Sequence, residues 1–196
     1  MRKCGFLTIL SATMLAAGGV SAGPLHDAVR SGDESEVGRL IDMGADIEEL
    51  DAADLTPLVT AALSGQTGVV ELLLDHGADP RGRDGNGYTA LHAAAHEGHA
   101  EIVDLLLARG VPVSDQENEA RITPLHAAAE MSFVKIAERL LDHGAEIDLE
   151  ESSGWTPIMR ASFRSHAEMV ALLRDHGATC VENLDPFTTF CRTAGE

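Results

Sequence analysis

A short segment consisting of Thr, then Pro or Ala, then Leu or Ile recurs along the chain at an almost constant spacing. The copies are 33, 34 and 33 residues apart and begin at Thr56, Thr89, Thr123 and Thr156. Glycines follow the same register at Gly44, Gly77, Gly110, Gly144 and Gly177. Such a period is typical of stacked supersecondary units, none of which can bury its apolar face alone. The sequence therefore predicts a solenoid of five repeated units.

Each unit reads as two short helices followed by a polar loop. In the third unit, Thr89 is a suitable cap for a helix that continues to about Glu97, where Gly98 can end it. A second helix is expected from about 100 to 108, with a broad apolar face and a left-handed stop at Gly110. The polar segment before the next Thr then forms a turn or finger. The predicted fold class is an all-α repeat solenoid.

The motifs themselves resemble those of the ankyrin-repeat family. They read Thr-Ala-Leu-His-Ala-Ala-Ala from Thr89, Thr-Pro-Leu-His-Ala-Ala-Ala from Thr123, and Gly-His-Ala-Glu-Ile-Val-Asp-Leu-Leu-Leu from Gly98. The resemblance covers roughly residues 24–179. It implies a stack of five helix-turn-helix units with finger loops, at about 23–54, 55–87, 88–120, 121–154 and 155–184.

Several positions depart from the family pattern. Val59 and Met159 stand where the motif has His. Four other residues replace motif glycines, at Asp54, Arg121, Ser132 and Ser165. The loops at these positions are expected to differ slightly from the family's shape.

The amino terminus predicts export. Arg2 and Lys3 precede an apolar stretch at 6–17, which is too short to span a bilayer, and small residues precede Gly23. Residues 1–22 therefore read as a signal peptide that is cut before Gly23, and the mature chain is expected to be periplasmic or secreted. The alternative is an apolar N-terminal helix that stays in the fold.

The other end of the chain is expected to close the stack. The mature chain keeps Cys180 and Cys191, an even pair that is a candidate for one disulfide in an exported protein. A redox-active pair is the weaker alternative, since no Cys-x-x-Cys turn is present. Residues 185–196 break the repeat pattern, and Phe187 and Phe190 are expected to cover the open side of the last unit as a capping tail.

The charge balance limits the partners. With 14 basic and 32 acidic residues the net charge is −18, and removal of Arg2 and Lys3 leaves −20, which disfavours nucleic acid and anionic membranes. Acids gather in the fingers, at Asp46, Glu48, Glu49, Asp51, Asp54, Asp115, Glu117, Glu119, Glu146, Asp148, Glu150 and Glu151. Such a rim would attract a basic protein; ordinary solvation of exposed loops is the alternative. The second finger differs because Arg81 and Arg83 lie among its acids.

The resemblance also implies a concave partner-binding surface formed by fingers and first helices. The residues just before each motif Thr lie on it, in the row Leu55, Tyr88, Ile122 and Trp155. Two further rows contribute Leu63, His96, Glu130 and Phe163, and Glu97, Met131 and Arg164. Since the single Tyr and the single Trp of the chain share one row, binding is the favoured interpretation, because both are common interface anchors. Alternatively these side chains lie flat against neighbouring fingers and support the stack.

No motif for catalysis or cofactor binding is present, so neither a cofactor nor a metal is expected. His92, His96 and His99 follow the helical spacing that a metal site could use, yet Gly98 should end the helix before His99. His26, His92 and His126 occupy one motif position, and His76, His143 and His176 another, which favours structural roles.

The sequence thus favours a non-catalytic protein–protein interaction scaffold, monomeric until it meets a protein partner. One use is as an inhibitor or immunity factor of a basic toxin. The alternative is a helper or activator of a periplasmic enzyme, such as one in oxidative-stress defence. A metal-dependent enzyme, built on His92 and His96, is a third interpretation.

Overall fold

The computed structural model describes residues 23–179, which form five pairs of helices in sequence order. The first helices of the pairs are α1 (Pro24–Ser31), α3 (Pro57–Leu63), α5 (Ala90–Glu97), α7 (Pro124–Met131) and α9 (Pro157–Phe163). The second helices are α2 (Glu34–Asp42), α4 (Thr67–Asp75), α6 (Ala100–Ala108), α8 (Val134–Asp142) and α10 (Ala167–Asp175). The all-α solenoid predicted from the 33-residue period is confirmed.

Some predictions concern residues outside this range. The signal peptide at 1–22, the pair Cys180 and Cys191, the last residues of the fifth unit and the tail at 185–196 lie outside the described residues. They remain predictions. None of the helices within 23–179 combines the length and apolar character that a membrane span needs.

The first helices of the second to fifth units begin at the motif threonines, as predicted, whereas α1 begins after Gly23. The Oγ1 atoms of Thr56 and Thr123 accept the backbone N–H groups of Val59 and His126, each at 3.2 Å. A proline follows the cap in α3, α7 and α9, where a missing N–H has no cost because the first turn leaves its N–H groups unpaired. The recurring Thr-Pro pair therefore encodes where each unit starts.

Left-handed residues occupy the ends of helices and the finger turns, and four of them are not glycine: Ser132 and Ser165 follow first helices, and Asp54 and Arg121 lie in fingers. Gly98 has φ +89°, whereas Asp54, Arg121, Ser132 and Ser165 have φ between 53° and 61°. The expectation that these loops would differ from the glycine-containing ones is therefore wrong in this respect. The neighbouring turns impose the same backbone conformation, and the side chains are accommodated at a cost in strain.

This strain leads to a stability prediction at Ser132, the left-handed C-cap of α7. We expect Ser132→Gly to raise the free energy of unfolding by about 1 kcal/mol, because relief of strain exceeds the extra backbone entropy of glycine. Urea denaturation measures the difference. Ser132→Ala keeps the β-carbon and should give no gain; a Gly variant no more stable than wild type would contradict the interpretation.

Alanines allow the first helices to pack closely against one another. Ala62, Ala94, Ala95, Ala128 and Ala161 are fully buried in a continuous core that runs through all five units. The second helices contribute larger aliphatic residues from one face, and their other face is exposed. A thin, extended core of this kind explains how the chain can be 44% hydrophobic with only 4% aromatic residues.

The fingers are held by side chains that accept backbone N–H groups. Within the first two fingers, Asp51 and Asp84 each accept two N–H groups of their own turn. Between fingers, Glu48 accepts the N–H of Asp79 and Ser114 that of Glu146, at 2.7 and 2.8 Å. These bonds fix the first finger to the second and the third to the fourth, and they help to fix the face that the fingers form with the first helices.

The junction between the second and third fingers lacks this bond. The position of Glu48 and Ser114 is taken in the second finger by Arg81, whose side chain has no acceptor oxygen. The residue that would donate to it in the third unit is Pro112, which has no N–H. The two departures match each other, so no backbone N–H is left without its acceptor at this junction.

Candidate functional site

The motif histidines connect each first helix to the next finger. His92 accepts the backbone N–H of Thr89 at Nδ1, so its Nε2 carries the proton and donates to the carbonyl of Ile122 at 2.9 Å. His126 makes the equivalent bond to the carbonyl of Trp155 at 3.0 Å. Burial lowers the pKa of both rings, that of His126 to about 4. These histidines are neutral structural groups, as the sequence predicted.

The candidate histidine metal site is not assembled. His92 is buried and faces the third finger, His96 pairs with Glu97 at 2.9 Å, and His99 lies against the carbonyl of Leu63 in the preceding unit. The three rings thus engage different elements. Within residues 23–179, no group of three or more His, Cys, Asp or Glu side chains is arranged to hold a metal ion.

The row before the motif threonines is only partly accessible. Leu55, Tyr88 and Trp155 are half-buried, and Leu55 packs against the core. Ile122 is 3% exposed, and both polar groups of its backbone are bound by the Asn118 side chain. Ile122 is therefore corrected from a contact residue to a packing residue, because its side chain is buried.

An aromatic pair lies at the carboxyl-terminal end of these rows. The rings of Trp155 and Phe163 meet edge to face, with centroids 5.2 Å apart and planes at 73°. Phe163 is 65% exposed, and Met131 of the preceding unit is 42% exposed. A large exposed apolar side chain that is backed by tryptophan has the character of an interface anchor.

Four charged side chains beside this pair neutralise one another. Arg160 pairs with both Glu130 and Glu151, and Arg164 pairs with Glu130. The two guanidinium groups hold the pKa of Glu130 below its usual range, although burial acts in the opposite direction. We call Glu130, Glu151, Arg160 and Arg164 the ion cluster. It joins the fourth unit to the fifth and carries no net charge.

The sequence analysis did not predict that Glu151 and Arg160 form a pair. Arg160 stands where the third and fourth units have Ala93 and Ala127, and Glu151 stands where the other fingers have Asp or Asn. An alignment of the units with one another shows both departures and could have indicated this pair. A long cation beside a longer acid, at the same junction between units, indicates a substituted contact.

Tyr88 lies in a more negative environment. Burial raises its pKa to about 12, and the carboxylates of Asp84, Glu151 and Glu119 add to the rise, while Arg160 opposes it. Glu151 and Arg160 are paired with each other, so Asp84 and the exposed Glu119 make this part of the face attractive to a cation. Tyr88 and Phe163 therefore present different chemistry within the same predicted surface.

The remaining contact residues are in varied environments. Leu63 is half-buried against the core, whereas Arg164 is exposed. His96 and Glu97 lie between Leu63 and Glu130 in the order of the units, and they bind each other. The surface thus changes from apolar to charged and back to apolar along the stack.

The acidic rim is smaller than the sequence predicted. Asp51, Asp115 and Glu151 are at most 9% exposed, and they are paired with Arg30, Arg83 and Arg160, respectively. These acids stabilise the fingers and are not available to a partner. The exposed finger acids are Asp46, Glu48, Glu49, Asp54, Glu117, Glu119, Glu146 and Glu150.

Comparison with known families agrees with the repeat structure. A family model for ankyrin repeats, which represents three copies, matches residues 25–117 and 112–183. A search of curated proteins found no significant match. The matched segments cover more than half of the chain and include all ten helices described above. The chain therefore belongs to the ankyrin-repeat family, whose stacks are protein–protein interaction scaffolds.

Proposed function

We propose that the chain is an exported, non-catalytic scaffold that binds a basic protein partner through its predicted concave face. The exposed Phe163 ring, which is backed by the half-buried Trp155, is the observation that carries this proposal. Tryptophan and neighbouring arginine are the residue types that most often contribute binding energy at interfaces. The exposed finger acids support a basic partner, because they steer encounter and favour positive charge.

We further propose that the scaffold acts as an inhibitor or immunity factor of a basic toxic enzyme. A net charge of −20 after removal of the signal peptide supports this use, since many opposite charges speed association. An inhibitor must cover the catalytic cleft of its partner. Loss of the partner's activity in the complex is therefore the expected result, and an activity that is retained or raised would identify a helper.

Partner binding is tested with the mature chain, starting at Gly23, in chemical cross-linking and capture from a periplasmic extract. We expect Phe163→Ala, and separately the double variant Tyr88→Ala/Trp155→Ala, to weaken binding of the captured partner at least about tenfold. Met43→Ala is the matched control, because Met43 is 72% exposed on a different part of the stack. A partner retained equally by all variants would place the contact elsewhere.

Export is tested separately on the full chain. The mass of the protein recovered from the periplasmic fraction should correspond to a chain that starts at Gly23. An unprocessed chain in the cytoplasm would contradict the proposed location. The same mass measurement, with and without reduction, shows whether Cys180 and Cys191 form a disulfide.

A further inference from the structure

The apolar part of the face can be covered by a partner at little electrostatic cost. Arg160 and Arg164 are already paired with Glu130 and Glu151, so contact with Phe163 leaves no charge newly unpaired. We call Trp155 and Phe163 the apolar seat. The exposed Phe163 ring, backed by Trp155, offers a contact to one aliphatic or aromatic side chain.

A second seat lies at Tyr88. The ring of Tyr88 is half-buried and fixed edge to face against His92, with centroids 5.5 Å apart and planes at 75°. The third finger comes close to Tyr88, because the backbone of Asn118 lies against Gly87, and Glu119 is exposed on that finger. The Asp84 carboxylate accepts the backbone N–H of Tyr88. We call Tyr88 and Glu119 the cation seat. A Lys or Arg there would gain from the carboxylate and from the aromatic ring.

The two seats belong to one continuous surface. The backbone N–H of Ser152 donates to the carbonyl of Ala120 at 2.9 Å, so Glu119 and Glu151 lie on adjoining fingers. Arg160 pairs with Glu151, and Phe163 follows Arg160 by three residues on α9. Residues three apart on a helix share a face. The ion cluster thus lies between an apolar seat and a cation seat.

We propose that the two seats together select a partner segment that carries an apolar side chain near a Lys or Arg. This inference rests on the proposed function and specifies the chemistry of the partner at that site. Charge complementarity favours it, because the exposed finger acids surround the face and the ion cluster is neutral. A segment with an acidic flank would meet repulsion at Glu119.

The probe is a phage-displayed library of short random peptides, selected on the purified mature chain. We expect the enriched peptides to combine a Leu, Phe or Trp with a nearby Lys or Arg. A synthetic copy of the best peptide is then titrated against the wild type and against Phe163→Ala and Glu119→Gln. The matched controls are Met43→Ala and Glu138→Gln, which change an exposed apolar side chain and an exposed acid outside both seats.

Phe163→Ala should lower the affinity for the peptide at least about tenfold. Glu119→Gln should lower the affinity a few-fold and reduce its dependence on salt concentration, because one attractive charge is removed. Both controls should bind as the wild type does. Acidic or purely apolar peptides, no enrichment, or equal binding to Phe163→Ala would overturn the inference.

Failure here is distinguishable from failure of the proposed function. If the captured natural partner is lost by Phe163→Ala while no peptide is enriched, the face binds a protein but not through a short segment of this chemistry. If the natural partner is retained by every variant, the proposed function fails whatever the peptides show.

Discussion

Replacement of Arg160 by alanine is expected to lower the free energy of unfolding by about 3 kcal/mol, because removal of one partner leaves a buried charge unpaired. Glu151 is 7% exposed and lies against Arg160, and the Nε atom of Arg160 donates to its Oε2 atom at 3.0 Å. Urea denaturation measures the loss. Arg109→Ala is the control, since Arg109 pairs with the exposed Asp75 and should cost less than about 1 kcal/mol.

A second substitution should restore most of the stability. Glu151→Asp combined with Arg160→Ala gives the junction of the fourth and fifth units the residues that the junction of the second and third units has at the same positions, Asp84 and Ala93. A shorter carboxylate can accept N–H groups of its own finger, as Asp84 does, and no longer needs the guanidinium. If the double variant is no more stable than Arg160→Ala, the ion cluster is not a substitute for the finger bond.

Mild acid is expected to destabilise the stack through its motif histidines. The pKa of His126 is about 4 in the folded chain and about 6.5 in the unfolded chain, so between these values the unfolded state binds more protons. Stability from this group is therefore present above pH 6.5 and lost as the pH falls. From pH 7 to pH 5 the loss is about 2 kcal/mol, and His92, whose pKa burial also lowers, adds to it.

Unfolding curves at pH 7 and pH 5 measure this dependence. His126→Gln should lower stability at pH 7 and also flatten the change between the two pH values, because one titrating group is gone. Asp115 and Glu130 act in a different window, since their lowered pKa values remove stability only as the pH falls below the range of ordinary carboxylates. Equal pH dependence in wild type and His126→Gln would contradict the assignment.

The fold was predictable because each unit repeats its own boundary signals. Thr89 and Gly98 bracket α5, and α6 has the predicted bounds of 100 and 108. Local chemistry is sufficient here, since a capping threonine and a left-handed glycine act within one helical turn.

The candidate site was less predictable because exposure depends on contacts between units. Ile122 and Trp155 hold equivalent sequence positions, yet one is buried and the other is half-buried against Phe163. Likewise, the finger acids appear alike in sequence, but Asp115 is paired with Arg83 and Glu119 is exposed. For the acids, the difference arises from a partner located about one repeat away along the chain.

The matched pair Arg81 and Pro112 has a consequence for how such a chain can evolve. Repeat proteins grow and shrink by duplication and deletion of whole units, which requires that units be interchangeable. The third unit has Pro112, which has no N–H, at the contact position, so it fits only after a unit that offers no acceptor side chain at that position. The fourth unit has a backbone N–H at the same position, so it needs an acceptor such as Ser114 in the preceding unit. A duplicated or transposed unit would therefore leave an acceptor unused or an N–H unbonded, so the order of the units is constrained by their junctions.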